Sequence, residues 1–84
     1  RQGVYVSNLP LDKNGSQANA ENIVVANNII ENMWNGKKQA AIHFVGTHFK
    51  QCRVHDNTII GGLYDIWTEQ EATDWLYVEG NMLN

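Results

Sequence analysis

The chain has a single cysteine, Cys52, and a single proline, Pro10, among its 84 residues. A lone cysteine closes no intrachain disulfide, so a disulfide scaffold, a CxxC redox pair and a cysteine-based zinc site are excluded. Charge is also sparse. Only 18% of residues are charged, six basic against nine acidic, and basic residues adjoin only at Lys37-Lys38. The basic footprint that nucleic acid requires is therefore missing, and no nucleic-acid partner is expected. No apolar run approaches the ~20 residues that cross a bilayer, and the first residues lack the charged-then-apolar pattern of a secretory leader, so no membrane insertion is expected. Leucine is too scarce for leucine-rich repeats. His43, His48 and His55 have neither helical i, i+4 spacing nor an HExxH context, so no metal is expected, and no cofactor either.

What is present points to one folded unit. The apolar share of 43% is ordinary and argues against disorder. The length permits one domain, residues 1–84. Asparagine occurs eleven times, which suits turns better than helices. The asparagines are ordered. Placing Asn28, Asn57 and Asn81 in one column aligns Ile23–Ile30 with Cys52–Ile59 and both with Leu76–Leu83, under the shared pattern apolar-x-Val-x-(Asn/Asp/Gly)-Asn-x-(Ile/Leu). A second column aligns Val4-Tyr5-Val6 with Ile42-His43-Phe44 and Ile66-Trp67-Thr68, each alternating with period two as strands do. Val54 to Val78 and Phe44 to Thr68 are both 24 residues, so two independent columns share one unit.

A repeat of 20–30 residues with β-branched strands and asparagine at the bends predicts a coiled solenoid, because no turn of it buries its apolar face alone. The bend asparagines Asn28, Asn57 and Asn81 are expected to tolerate the left-handed region and to hydrogen-bond along their column at a strand spacing of about 4.8 Å. Cys52 aligns with Ile23 and Leu76 and is expected to fill core. Two helical readings compete. Ile23, Ala26, Ile30, Met33 and Trp34 fall at helical spacing, and Thr68 to Glu71 resembles a capping box that would start a short helix at 69–74.

The Val-x-x-Asn-x-Ile units ending at Ile30, Ile59 and Leu83, with their bend column, resemble the right-handed parallel β-helix proteins of the pectin-lyase-like superfamily, most nearly bacteriophage tailspikes and tail appendages. The resemblance implies an all-β right-handed parallel β-helix of about three coils, shorter than is usual in the family, without obvious polar caps at either end. Because the chain opens on Arg1 instead of methionine and stops at Asn84 inside the repeat, a fragment of a longer β-helix is expected. It also implies activity on polysaccharides, as lyase, glycoside hydrolase, epimerase or non-catalytic glycan-binding stem. The implied partner is a bacterial surface polysaccharide, with a homotrimer or the remainder of a longer chain beside it. The implied location is the virion tail or the extracellular space.

With Val4, Val6, Ile42, Phe44, Ile66 and Thr68 inward, Tyr5, His43 and Trp67 form an outward column that offers either a platform for sugar rings or an aromatic ladder packed against a loop or a neighbouring subunit. Asp65 and Glu69 flank it, four residues apart and hence roughly 13 Å between Cα atoms, and are the candidate catalytic carboxylates. The other outward set, Arg53, His55 and Glu79, reads as a solvated cross-strand charge group. Extra residues in the first coil must leave the stack as loops at 8–21 and 32–40, and the second of these carries Trp34, which is either a sugar contact or a cover for the end of the core.

Overall fold

The computed structural model describes residues 3–10, 15, 17–31, 40–61, 64–71 and 74–83, with the backbone alone at 40, 64 and 65. The described residues form strands and bends and no helix. The strands are β1 (Val4–Asn8), β2 (Ala20–Glu21), β3 (Val24–Ala26), β4 (Ile29–Glu31), β5 (Ala40–Gly46), β6 (Phe49–Lys50), β7 (Cys52–His55), β8 (Thr58–Ile60), β9 (Tyr64–Thr68), β10 (Leu76–Glu79) and β11 (Met82–Leu83). They make four separate parallel sheets, ordered β1-β5-β9, β3-β7-β10, β4-β8-β11 and β2-β6. Three successive passes of the chain thus each contribute one strand to three of the sheets. This all-β, parallel arrangement is compatible with a β-helix-like winding.

The registers follow the two sequence columns. Val4 pairs with Ile42 and Ile42 with Ile66, Val6 with Phe44 and Phe44 with Thr68, and Val25 with Val54 and Val54 with Val78. The inward members of the middle pass, Ile42, Phe44, Cys52, Val54 and Ile59, are buried, so Cys52 does fill core. Parallel strands with both faces covered read as near-continuous apolar runs, and Ala41 to Val45 are all buried, with His43 the one polar member. Phe44, Phe49 and Trp75 close the interior beside them, with ring centroids 5.2–5.4 Å apart.

Asparagines join the three passes at the corner between the β3-β7-β10 and β4-β8-β11 sheets. The Asn57 Oδ1 accepts from the backbone N–H of Asn28 at 3.1 Å and from its Nδ2 at 3.0 Å. One pass further on, the Asn81 Oδ1 accepts from the N–H of Asn57 at 3.0 Å and its Nδ2 at 2.9 Å. Each Nδ2 also donates back to the preceding pass, from Asn57 to Val25 O and from Asn81 to Val54 O. A carboxamide buried to 1% exposure at Asn57 is tolerable because every one of these polar atoms is matched.

The left-handed residue is not the ladder asparagine but the residue before it. Asn27, Asp56 and Gly80 have φ of 59°, 56° and 69°. These are the residue types that enter this region at least cost, while the ladder asparagines turn their side chains inward. Gly80 has an added steric reason, because a Cβ there would meet the Asp56 Oδ1 at 2.5 Å. Asn22, His48 and Gln51 are the other non-glycine residues with positive φ among the described residues.

Residues 69–71 are a bend and not the start of a helix, which corrects that alternative over its described part. Their polar groups go elsewhere. Among the described residues of the third pass no strand pairs with β6, and the Gln70 carboxamide bonds there instead, its Oε1 accepting from Phe49 N–H at 2.9 Å and its Nε2 donating to Phe49 O at 3.4 Å. The Trp75 Nε1 donates to Glu71 O at 2.8 Å. Residues 22–31 are likewise strands and bends, not helix. Strands include Asn8, Ala20, Glu21 and Ala40, while residues 11–14, 16 and 32–39 of the two expected loops lie outside the described residues.

Replacing Asn57 with alanine removes the four hydrogen bonds of its buried side chain and strands their partners, so N57A should lose about 3 kcal/mol of stability, against about 1 kcal/mol for N28A at the exposed start of the ladder. Urea denaturation of the two variants checks the difference, and equal losses would remove the ladder as a principal source of stability.

Candidate functional site

The outward column lies where the register puts it. Tyr5 pairs with His43 and His43 with Trp67 across β1, β5 and β9. Period-two alternation places all three on one face, and parallel stacking brings them together. The rings are not equivalent. Tyr5 is 56% exposed and Trp67 partly exposed, whereas His43 between them is only 6% exposed. The His43 and Trp67 rings stack with centroids 4.4 Å apart and planes within 4°, and Tyr5 meets His43 edge-on at 5.7 Å. A parallel pair separated by about one strand spacing has its planes turned across the sheet, so the faces of these two rings are directed largely at each other. Tyr5, perpendicular to them and exposed, is the ring whose face remains most open to a ligand.

Of the flanking carboxylates, Asp65 lies on β9, but its side chain falls outside the described residues. Glu69 is exposed and follows β9. Its Oε1 accepts from the Gly46 N–H at 3.0 Å, and its own N–H donates to Phe44 O at 3.1 Å. Gly46 has φ of 96° and sits so close to Asn8 O that no side chain fits there, so the Glu69 carboxylate satisfies a backbone donor that the bend leaves unpaired. Trp34 lies outside the described residues. Of the first loop, Gln17 and Ala18 are tied to the corner after β5: the Asn8 Nδ2 donates to Thr47 O at 2.7 Å and to Ala18 O at 3.1 Å, and the Gln17 Nε2 donates to Thr47 O at 3.0 Å.

In the second outward set, Arg53, His55 and Glu79 each meet another side chain and not one another. The Arg53 guanidinium lies 5.7 Å from the Tyr77 ring centroid, and His55 Nδ1 is 2.7 Å from Asp56 Oδ2. The Tyr77 hydroxyl is held above its ordinary pKa by a hydrogen bond to Glu79, then by the charge of that carboxylate and by burial, with Arg53 pulling the other way. A cleft of about 430 Å³ opens beside β6, where Lys50, Gln51, Gln70 and Asp74 surround the edge of Trp75. The column patterns gave no signal for this cleft, because strands of two residues have no periodicity to read. Among the described residues, no three His, Cys, Asp or Glu side chains are grouped so that they could hold a metal ion.

Compared with known proteins, the chain matches no protein-family model, no curated protein and no solved structure.

Two outcomes follow from these contacts. Glu69→Ala should cost about 1 kcal/mol by orphaning the Gly46 N–H, while Glu69→Gln, which keeps an acceptor oxygen, should stay near wild type in urea denaturation. Glu79→Gln should move the Tyr77 titration down toward ordinary phenol, read by ultraviolet difference absorbance; an unchanged midpoint would show that Glu79 does not hold the proton on Tyr77.

Proposed function

We propose that the chain is a stretch of right-handed parallel β-helix similar to the pectin-lyase-like superfamily, nearest within it to bacteriophage tailspikes and tail appendages. Its proposed role is to recognise a bacterial surface polysaccharide along the outward face of β1, β5 and β9. The observation that carries this reading is the aromatic column itself, Tyr5, His43 and Trp67 on adjacent parallel strands with Tyr5 open to solvent. An extended glycan meets such a column rung by rung, its apolar sugar faces against rings and its hydroxyls toward nearby polar groups. Recognition is favoured over cleavage at this face because the Glu69 carboxylate is already engaged by the Gly46 N–H. Such a protein would work on a virion tail or outside the cell, as part of a longer chain or a homotrimer.

A structural stem is the second reading. The face-to-face stack of His43 on Trp67 favours it, since rings that bury their faces on each other stiffen a sheet and leave less surface for sugar.

Titrating purified bacterial capsular and O-chain polysaccharides while following tryptophan fluorescence separates the two. Binding predicts a saturable change that Tyr5→Ala and Trp67→Ala each weaken about tenfold, worth about 1.4 kcal/mol. No saturable change across the panel supports the stem. Depolymerisation is read separately by reducing-end release. If Asp65→Asn and Glu69→Gln retain whatever release the wild type shows, these two carboxylates are not a catalytic pair.

A further inference from the structure

The cleft beside β6 takes its lining from all three passes: Glu21 from the first, Lys50 and Gln51 from the second, Asp74 and Trp75 from the third. It therefore runs along the flank of the stack and belongs to neither end. Its volume of about 430 Å³ lies within the range of small-ligand sites. Three of its side chains are charged and exposed. Glu21 and Lys50 are register partners on the parallel strands β2 and β6, and both point away from the core that Ala20 and Phe49 face. Yet among the described residues neither forms an ion pair, with the other or with Asp74. Opposite charges that stay apart on adjacent rungs leave an ammonium and two carboxylates available to one bound molecule. A ligand of a single sign would match one part of this lining and be repelled by the rest. A zwitterion matches both.

Gln51 supplies an independent mark. Asn22 and Gln51 occupy equivalent positions, directly after the register pair Glu21 and Lys50, and both are left-handed, with φ of 59° and 52°. Asparagine enters this region at low cost because its short side chain bonds locally, an advantage glutamine does not share. On the second pass the bend thus carries the costlier residue, and its carboxamide has no hydrogen-bond partner among the described residues. Strained bends gather at ligand sites, and a carboxamide offers hydroxyl groups both a donor and an acceptor. We propose that the cleft binds a hexose-sized sugar unit bearing both an ammonium and a carboxylate. Lys50 meets its carboxylate, Glu21 and Asp74 its ammonium, and Gln51 a ring hydroxyl. The sugar scaffold rests on the polysaccharide reading above; the requirement for two charges rests on the cleft alone.

The test follows amide and indole N–H shifts of the isotopically labelled chain during titration with muramic acid, a hexose carrying one ammonium and one carboxylate. Saturable shifts are expected at Lys50, Gln51 and the Trp75 indole. N-acetylmuramic acid, which lacks the ammonium, and glucosamine, which lacks the carboxylate, should each bind about tenfold more weakly, and added salt should weaken muramic acid. Variants assign the charges. Lys50→Gln should abolish the preference for muramic acid over glucosamine, and Glu21→Gln combined with Asp74→Asn should abolish the preference over N-acetylmuramic acid. All three positions are exposed, so the fold should hold, which circular dichroism checks. Tyr5→Ala should leave these affinities unchanged, so failure of the aromatic column and failure of the cleft are told apart. Four results would each overturn the proposal: no saturable cleft shift at millimolar muramic acid, equal binding of the three sugars, charge preferences that survive the variants, or equal binding of γ-aminobutyrate, a zwitterion without a sugar ring.

Discussion

Every feature of this molecule depends on the matched register of its parallel strands, and the carboxamide ladder is the interaction that makes that register unique. Apolar columns alone tolerate slippage by two residues, because such a shift returns side chains to the same face. The ladder does not tolerate it. Asn57 is buried and bonded to the passes on both sides, so a slipped register would leave a carboxamide and at least two backbone groups without partners in the interior. The cost of an orphaned amide exceeds the gain of any one apolar contact, and the ladder therefore sets where Val25, Val54 and Val78 meet.

The same register creates the aromatic column. Nothing in Tyr5, His43 or Trp67 individually brings them together, since 38 and 24 residues separate them along the chain. Once Val6, Phe44 and Thr68 are stacked inward, their neighbours are stacked outward. The middle strand then becomes buried on both faces, with Ala41, His43 and Val45 covered as well as Ile42 and Phe44. This is the ordinary condition of a central parallel strand, and it concentrates accessible surface on the outer strands, where Tyr5 lies.

The registers were legible in the sequence because they rest on two long-range regularities, β-branched residues at a constant offset from asparagine and period-two alternation in a second column. The left-handed position was present in the same pattern as Asn27, Asp56 and Gly80, but its meaning was attached to the wrong member of the pair. Either asparagine in an Asn-Asn step can take positive φ, and only the inward hydrogen bonds tell which one does. The β2-β6 sheet and the role of Gln70 were illegible for a different reason. They rest on single side-chain contacts, Gln70 with the Phe49 backbone above all, which leave no periodic trace. The apparent capping box at Thr68 to Glu71 failed because its polar residues serve the neighbouring pass: Glu69 bonds Gly46 and Gln70 bonds Phe49, so the side chains that would start a helix are used across the stack.

That use of side chains explains how the third pass is organised. A strand over β6 would need main-chain N–H and C=O groups at the right height, and a carboxamide has both kinds of group on a flexible stem. Gln70 supplies them to Phe49, and the Trp75 ring packs on Phe49 at 5.2 Å while its indole N–H donates to Glu71 O. The third pass reaches β10 in register although, among the described residues, it adds no strand to the β2-β6 sheet. The Cys52 N–H donates to Trp75 O at 2.8 Å, so the bonding by Gln70 is local and parallel pairing resumes at Trp75.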